Sequence, residues 1–284
     1  MSTATASTPR TTTEKTSATA PAPIAPAPTG PKPGSLAQEQ IDFFWQNGYL
    51  RYGNLLSAGE IETLRNEYDR IFEEAEAAGG ARNLSVGSSE KDKGKEDKPK
   101  QRMLQIINMC DRSLQYRKLI HDTRILDIVQ DIIGPNIMLF HDQALNKPPR
   151  MGGPVFWHQD NSYWKCRPAT LMSCWMTLDD ADVHNGAMQV IPGSHLTPVW
   201  HGNTDSTDAL VEAGNIDTKK AVVVDVPAGG IMFHHCQTLH YTAPNSTGRQ
   251  RRAFAIHFMT PGTRNGQGEV IGMDFSHPIL RMRV

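Results

Sequence analysis

Gly134-Pro135-Asn136-Ile137-Met138-Leu139-Phe140-His141-Asp142-Gln143-Ala144-Leu145 is where the chain changes character. Glycine followed by proline stops a helix, because proline cannot extend the hydrogen-bond ladder. Upstream the pattern is helical. Ser35 with Gln38 and Ser57 with Glu60 have capping-box spacing. Ile41, Phe44 and Trp45, then Ile61, Leu64, Tyr68, Ile71 and Phe72, form apolar stripes of helical period. Two further helices are expected over 112–121 and 123–133. Downstream of Ile137 the texture is short strands separated by glycine, proline and polar turns. They are expected at 137–145, 155–158, 171–178, 188–191, 221–226, 230–235 and 252–259, with a shorter one near 49–55. Helices first and strands afterwards predict an α+β chain with a mainly β core. Double sheets of the jelly-roll type bury their edges in this way.

Composition narrows the class. The 284 residues carry a formal net charge of -1, so no bulk field draws the protein to nucleic acid or membrane. No apolar run reaches the roughly 18 residues of a spanning helix, and no secretory signal is read at the start. The four cysteines, Cys110, Cys166, Cys174 and Cys236, make no Cys-x-x-Cys pair and read as buried reduced thiols of a cytoplasmic protein. Residues 1–34 are a Ser/Thr/Ala/Pro-rich tail expected to be disordered, followed by one domain over 35–284. Residues 85–102 read as a mobile charged loop that could cover a site.

The chemistry begins at Val155-Phe156-Trp157-His158-Gln159-Asp160. On an extended strand residues i and i+2 share a face, so His158 and Asp160 aim at one point. A distant histidine would complete a 2-His-1-carboxylate face, the arrangement that suits oxygen-activating non-haem Fe(II). His-x-Asp alone is common. The partner stretch is Leu239-His240-Tyr241-Thr242-Ala243-Pro244-Asn245-Ser246, with Arg249, Arg251 and Arg252 beyond it.

With these pieces the chain resembles the phytanoyl-CoA dioxygenase family of Fe(II)/2-oxoglutarate-dependent oxygenases. The matches are Asn146-Lys147-Pro148-Pro149, His158-Gln159-Asp160, Asn185 to His195, and His240 with Pro244-Asn245 and Arg251, in order over residues 36–262. The resemblance implies a double-stranded β-helix, a cupin-like jelly roll with the N-terminal helices packed on one sheet. It implies His158, Asp160 and His240 as metal ligands and catalytic centre, and Fe(II), 2-oxoglutarate and O2 as cofactor and co-substrates. It also implies Arg251 gripping the distal carboxylate of 2-oxoglutarate with Thr242 beside it. Trp175 is read two ways, as strand core or as an indole N–H near the co-substrate. Gln143 and Asn146 are further candidate contacts, although they do not share a face. The implied reaction oxidises, by preference hydroxylates, an aliphatic C–H of a small molecule while 2-oxoglutarate is converted to succinate and carbon dioxide. The Asp160 carboxylate, absent from halogenating relatives, favours hydroxylation, desaturation or ring chemistry.

Other groups receive plainer readings. Lys147 decorates a turn, His195 is structural, Arg252 makes a surface ion pair, and His235 is a candidate partner for the metal ligands. Trp157, Tyr163 and Trp164 are expected to wall the substrate pocket, and residues 196–220 and 275–278 to shape it. Two other functions stand beside the oxygenase: a metal-dependent hydrolase, which has no use for Arg251, and an inactive binding protein, which would be expected to have lost a ligand. The expected partner is a small-molecule substrate, with no nucleic acid and no membrane. Oligomeric state is not readable.

Overall fold

Ser57 starts the first long helix as its spacing to Glu60 predicts. The computed structural model describes residues 35–84, 101–197, 199, 201 and 216–283. In it the Ser57 amide donates to Glu60 Oε2 at 2.7 Å and the Glu60 amide to Ser57 Oγ at 3.4 Å, closing the box. This helix, α2 (Ala58–Ala77), follows α1 (Gln38–Asn47) and strand β1 (Tyr49–Asn54). Helix α1 starts later than the Ser35–Gln38 spacing predicts. The Leu36 amide is held by Asp131 Oδ2 at 2.8 Å, and Gln40 rather than Gln38 accepts the orphan amide, that of Ala37. Gly48 ends α1 at φ +78°, a left-handed conformation open to glycine. Short strands β2 (Arg82–Asn83) and β3 (Leu104–Ile107) come next, then α3 (Leu114–Ile120) and α4 (Thr123–Ile133), capped by Ser113 and Asp122.

The remaining elements are β4 (Ile137–Lys147), β5 (Val155–His158), α5 (Asp160–Trp164), β6 (Met172–Thr177), β7 (Met188–Val190), β8 (Val222–Val224), β9 (Gly230–His235), β10 (His240–Thr242), β11 (Arg251–Met259) and β12 (Ile279–Arg281). They form an eight-stranded sheet in the order β1-β9-β6-β11-β4-β3-β2, with β12 also on β4, and a four-stranded sheet in the order β5-β10-β7-β8. Every strand pairing within them is antiparallel.

The large sheet buries both faces. On one, Phe254 and Ile256 of β11, Cys174 and Met176 of β6 and Phe233 of β9 join Leu64, Tyr68, Tyr116, Ile125 and Val129 of the helices. The alternate residues, Ala253, Ala255, Trp175 and Met232, face the small sheet with Met188, Val190 and Val224. Strand alternation therefore sorts each sequence into a helix-facing half and a site-facing half.

The expected closed architecture is corrected. Among the described residues the chain has a mixed α+β, β-rich core of two antiparallel sheets, and neither closes into a barrel, jelly roll or cupin-like double-stranded β-helix. The strand lengths account for it. β4 and β11 run 11 and 9 residues, and β4 recruits β3 and β12, extending the large sheet sideways. The small sheet is built from strands of 3 or 4 residues and stops at β5 and β8. The expected tail over 1–34, residues 85–100 of the charged loop expected over 85–102, and most of the connection over 196–220 lie outside the described residues. Among the described residues no helix is long and apolar enough to cross a membrane.

Candidate metal centre

The small sheet places the two imidazoles. β10 pairs with β5 so that His240 lies opposite His158, and the ring centroids come within 4.0 Å. Asp160 begins α5, directly after β5. His158 Nε2 and His240 Nε2 each lie 3.6 Å from Asp160 Oδ1. One ligand atom from each of the three residues falls within 4.8 Å of the others, and all three residues are buried. The other nitrogen of each ring is fixed by its own strand. His158 Nδ1 donates to the Phe156 carbonyl at 2.7 Å and His240 Nδ1 to the Thr238 carbonyl at 3.0 Å. Only an N–H can face a carbonyl, so both rings present the Nε2 lone pair to the common point.

The electrostatics suit a cation. Burial and the neighbouring His158 push His240 down to about 3, so it is a neutral donor at ordinary pH. Burial opposes the charge on Asp160, but the surrounding His240, His158 and His234 imidazoles overcome it and hold the carboxyl well below the usual range. A carboxylate beside two imidazole nitrogens is the donor set of a 2-His-1-carboxylate metal face.

Residues of both sheets line a cavity of about 590 Å³ that opens onto this trio. Arg251, Thr242, Trp175 and Gln143 line it. Arg251 is completely buried and makes no ion pair among the described residues. It donates to the Leu145 carbonyl at 3.1 Å, its Nε has no partner, and its guanidinium sits 5.8 Å above the Trp175 ring. Burial lowers it to about 10, still charged at neutral pH. Thr242 Oγ1 is also buried without a partner among the described residues. A buried cation and a buried hydroxyl left unsatisfied are costly unless something completes them. A dicarboxylate reaching from the trio to Arg251 does so, and the residues present therefore fit such a group.

Asn146 is not brought to this cavity. Its alternation along β4 turns it from Gln143 and Leu145, and it accepts a bond from Gln250 at 2.8 Å. Tyr163 and Trp164 do line the cavity, whereas Trp157 stacks on Tyr241 at 5.5 Å instead. His235 turns away to pack 5.2 Å from His195. Its neighbour His234 faces the site, with Nε2 3.1 Å from Asp160 Oδ2, and Ser173 Oγ donates to the same oxygen at 3.3 Å. Sequence reasoning singled out the wrong member of this pair. The parity of β9, with Met232 inward, was the signal that could have found His234.

Lys147 is likewise no turn decoration. It is fully buried and donates to the Thr242 carbonyl at 3.1 Å, bracing β10 from beneath. Gly186 makes room for it, since a Cβ there would lie 2.6 Å from the Ala243 carbonyl and 3.0 Å from Lys147 Cδ. Arg252 makes the expected ion pairs, with Asp69 and Asp179 at 2.8 Å each. His195 is structural as read, bonded to the Trp45 carbonyl at 2.9 Å.

Residues 44–253 match the family model described as phytanoyl-CoA dioxygenase (PhyH). A mouse protein described as peroxisomal phytanoyl-CoA dioxygenase is 29% identical over 235 residues, covering 78% of this chain and 68% of its own length. A Stutzerimonas stutzeri protein described as a probable alpha-ketoglutarate-dependent hypophosphite dioxygenase is 27% identical over 229 residues, 78% of each chain. The crystal structure of SnoK, a non-heme alpha ketoglutarate dependent carbocyclase from nogalamycin biosynthesis, superposes with a TM-score of 0.71. It is 21% identical and the match covers 88% of this chain and 99% of that one, a likeness of fold. The mammalian relatives are described as peroxisomal, which overturns the expectation of a cytoplasmic protein.

Proposed function

The chain belongs to the phytanoyl-CoA dioxygenase family and carries an active site of the Fe(II)/2-oxoglutarate-dependent oxygenase type, and from that premise we propose how its residues divide the work. His158, Asp160 and His240 would hold Fe(II) through two imidazole Nε2 atoms and one carboxylate oxygen. 2-Oxoglutarate lies between the trio and Arg251, its distal carboxylate gripped by the guanidinium and by Thr242 Oγ1. Trp175, beneath the guanidinium, fixes its plane, and Gln143 borders the same space. When bound, the metal supplies the activation of O2 that couples conversion of 2-oxoglutarate to succinate and carbon dioxide with insertion of the second oxygen atom into an aliphatic C–H of a small molecule. The chain's own part is to orient the two organic molecules and to keep water from the ion, with Tyr163 and Trp164 walling the substrate side.

One observation carries this reading: a completely buried arginine with no carboxylate partner among the described residues, facing the same cavity as the metal trio. A hydrolase using metal-bound water has no need of it. Names of relatives do not carry a substrate across, since they range from phytanoyl-CoA to hypophosphite.

The test is an anaerobic titration with Fe(II) and then 2-oxoglutarate, followed in the visible. A weak charge-transfer band that appears with the keto acid and is lost in His158→Ala is the expected result. Fe(II) binding without the band removes 2-oxoglutarate as co-substrate, and no metal binding removes the enzyme reading.

A further inference from the structure

We propose that the far end of the cavity, formed by His141 against His257 and Trp164, is a polar subsite for an uncharged oxygen-bearing group of the substrate, a hydroxyl or a carbonyl. The inference rests on the oxygenase reading of the same cavity and supplies what that reading leaves open, the chemistry of the molecule oxidised.

The subsite is built by strand register. His141 of β4 pairs with His257 of β11, His257 with Ser173 of β6, and Ser173 with His234 of β9. Four polar residues thus form one row across the large sheet. The Ser173 and His234 end holds Asp160. The other end runs sideways from it. Strands lie about 4.8 Å apart, so His141 stands about 10 Å from Ser173. Arg251 is six positions from His257 along β11, about 20 Å of strand. The co-substrate anchor and the His141 end are therefore separate parts of one cavity.

The hydrogen bonds show which imidazole is available. Gln105 Nε2 donates to Gln143 Oε1 in a short bond. Gln143 Nε2 meets His257 Nε2 at 2.9 Å, and His257 Nδ1 meets Ser173 Oγ at 2.7 Å. An amide N–H can only donate, so His257 Nε2 accepts and its Nδ1 carries the proton. Ser173 then receives that proton's bond and passes its own to Asp160. Both nitrogens of His257 are committed in this chain, and it ends on the metal ligand.

His141 is outside it. Its ring lies 4.3 Å from His257, 5.5 Å edge-on from Trp164 and 5.0 Å from Phe140. Its nitrogens have no hydrogen-bond partner among the described residues, and it lines the cavity. Burial takes it down to about 4, so at neutral pH it offers one donor and one acceptor. A hydrocarbon there would leave both unpaired. A cation would find no carboxylate, because Asp160 is the single acidic residue among the described lining groups. A hydroxyl or carbonyl oxygen meets the imidazole, while the rings of Trp164 and Tyr163 take an apolar body.

The experiment compares phenol with toluene, which share a shape and differ by a hydroxyl against a methyl. Their affinities are measured anaerobically on the Fe(II)- and 2-oxoglutarate-loaded protein by calorimetry. The variant is His141→Phe, which keeps a ring and removes both nitrogens, and His141→Asn keeps a donor and an acceptor. The ratio of phenol to toluene affinity is expected to fall about tenfold in His141→Phe, the size of one hydrogen bond, and to recover in His141→Asn. A ratio unchanged in His141→Phe, or wild-type protein that does not bind phenol, overturns the subsite. Should His141→Phe fail to fold, a His141→Asn ratio far below wild type overturns it too. The charge-transfer band read on the same samples separates the two ideas: a normal band with an unchanged ratio removes the subsite alone. An absent band with a changed ratio removes the co-substrate assignment alone.

Discussion

The two sheets contribute to the site in different ways. The four-stranded sheet, with the turn after β5, positions the metal trio, and each imidazole is aimed by a carbonyl two residues back in its own chain. The eight-stranded sheet positions what surrounds the organic molecules: Arg251, Trp175, Gln143, His141 and His257, drawn from three strands far apart in sequence. Metal geometry here is a local property and pocket geometry a property of register. The difference predicts that the two can be perturbed separately.

The largest effect tests that separation from the small sheet. His158→Ala or His240→Ala should weaken Fe(II) binding by more than about a hundredfold, beyond the tenfold to hundredfold loss seen when partners of a ligand are removed. The protein should stay folded, because neighbouring residues of β5 and β10 keep their pairings. Metal affinity by competition with a chelator and far-UV circular dichroism report the two halves of this expectation. From the large sheet, Arg251→Ala should weaken 2-oxoglutarate by roughly a hundredfold, about 3 kcal/mol for a buried charge-assisted pair, while Fe(II) affinity holds. An equal loss of both would show that the sheets do not act independently.

His234→Phe probes a place where they meet. His234 belongs to the large sheet yet holds the second oxygen of Asp160, so Fe(II) affinity should fall about tenfold with 2-oxoglutarate affinity for the remaining complex little changed. The smallest effect is on stability in acid. Burial lowers His141 and His235, both on the large sheet, from 6.5 to about 4. Between those values the unfolded chain takes up protons that the folded chain refuses. Stability is therefore full above about pH 6.5 and declines as pH falls toward 4, by a few kcal/mol in all at most. A melting temperature that stays flat over that window would show these rings to be solvated.

The same contrast explains what could be read from the sequence. His158 and Asp160 are two residues apart, and strand periodicity alone puts them together. Strands 155–158 and 230–235 were legible to the residue because alternation and turn residues bound them. β3, β10 and β12 were not, being 3 or 4 residues long with no pattern of their own. His240 therefore lies outside every strand expected from the sequence, yet it opens β10. The commitment of Lys147 to the Thr242 carbonyl depends on a contact between residues 95 apart, and nothing local foreshadows it. Whether the sheets close was equally hidden, since closure depends on which strand ends remain unpaired. The row from His141 to His234 appears only once three registers are known.

Arg251 and Arg252 adjoin on β11 and point to opposite faces, one into the cavity and one to Asp69 and Asp179. A slip of β11 that carries Arg252 into the place of Arg251 would present an arginine to the cavity all the same, so the cavity alone is blind to that error. The outer aspartates are not: they would lose their cation, and Ala253 would face them instead. The two acids thus act as a proofreading mark on the alignment of β11, and neutralising them should make misaligned protein accumulate during refolding before any fault shows in protein already correctly folded.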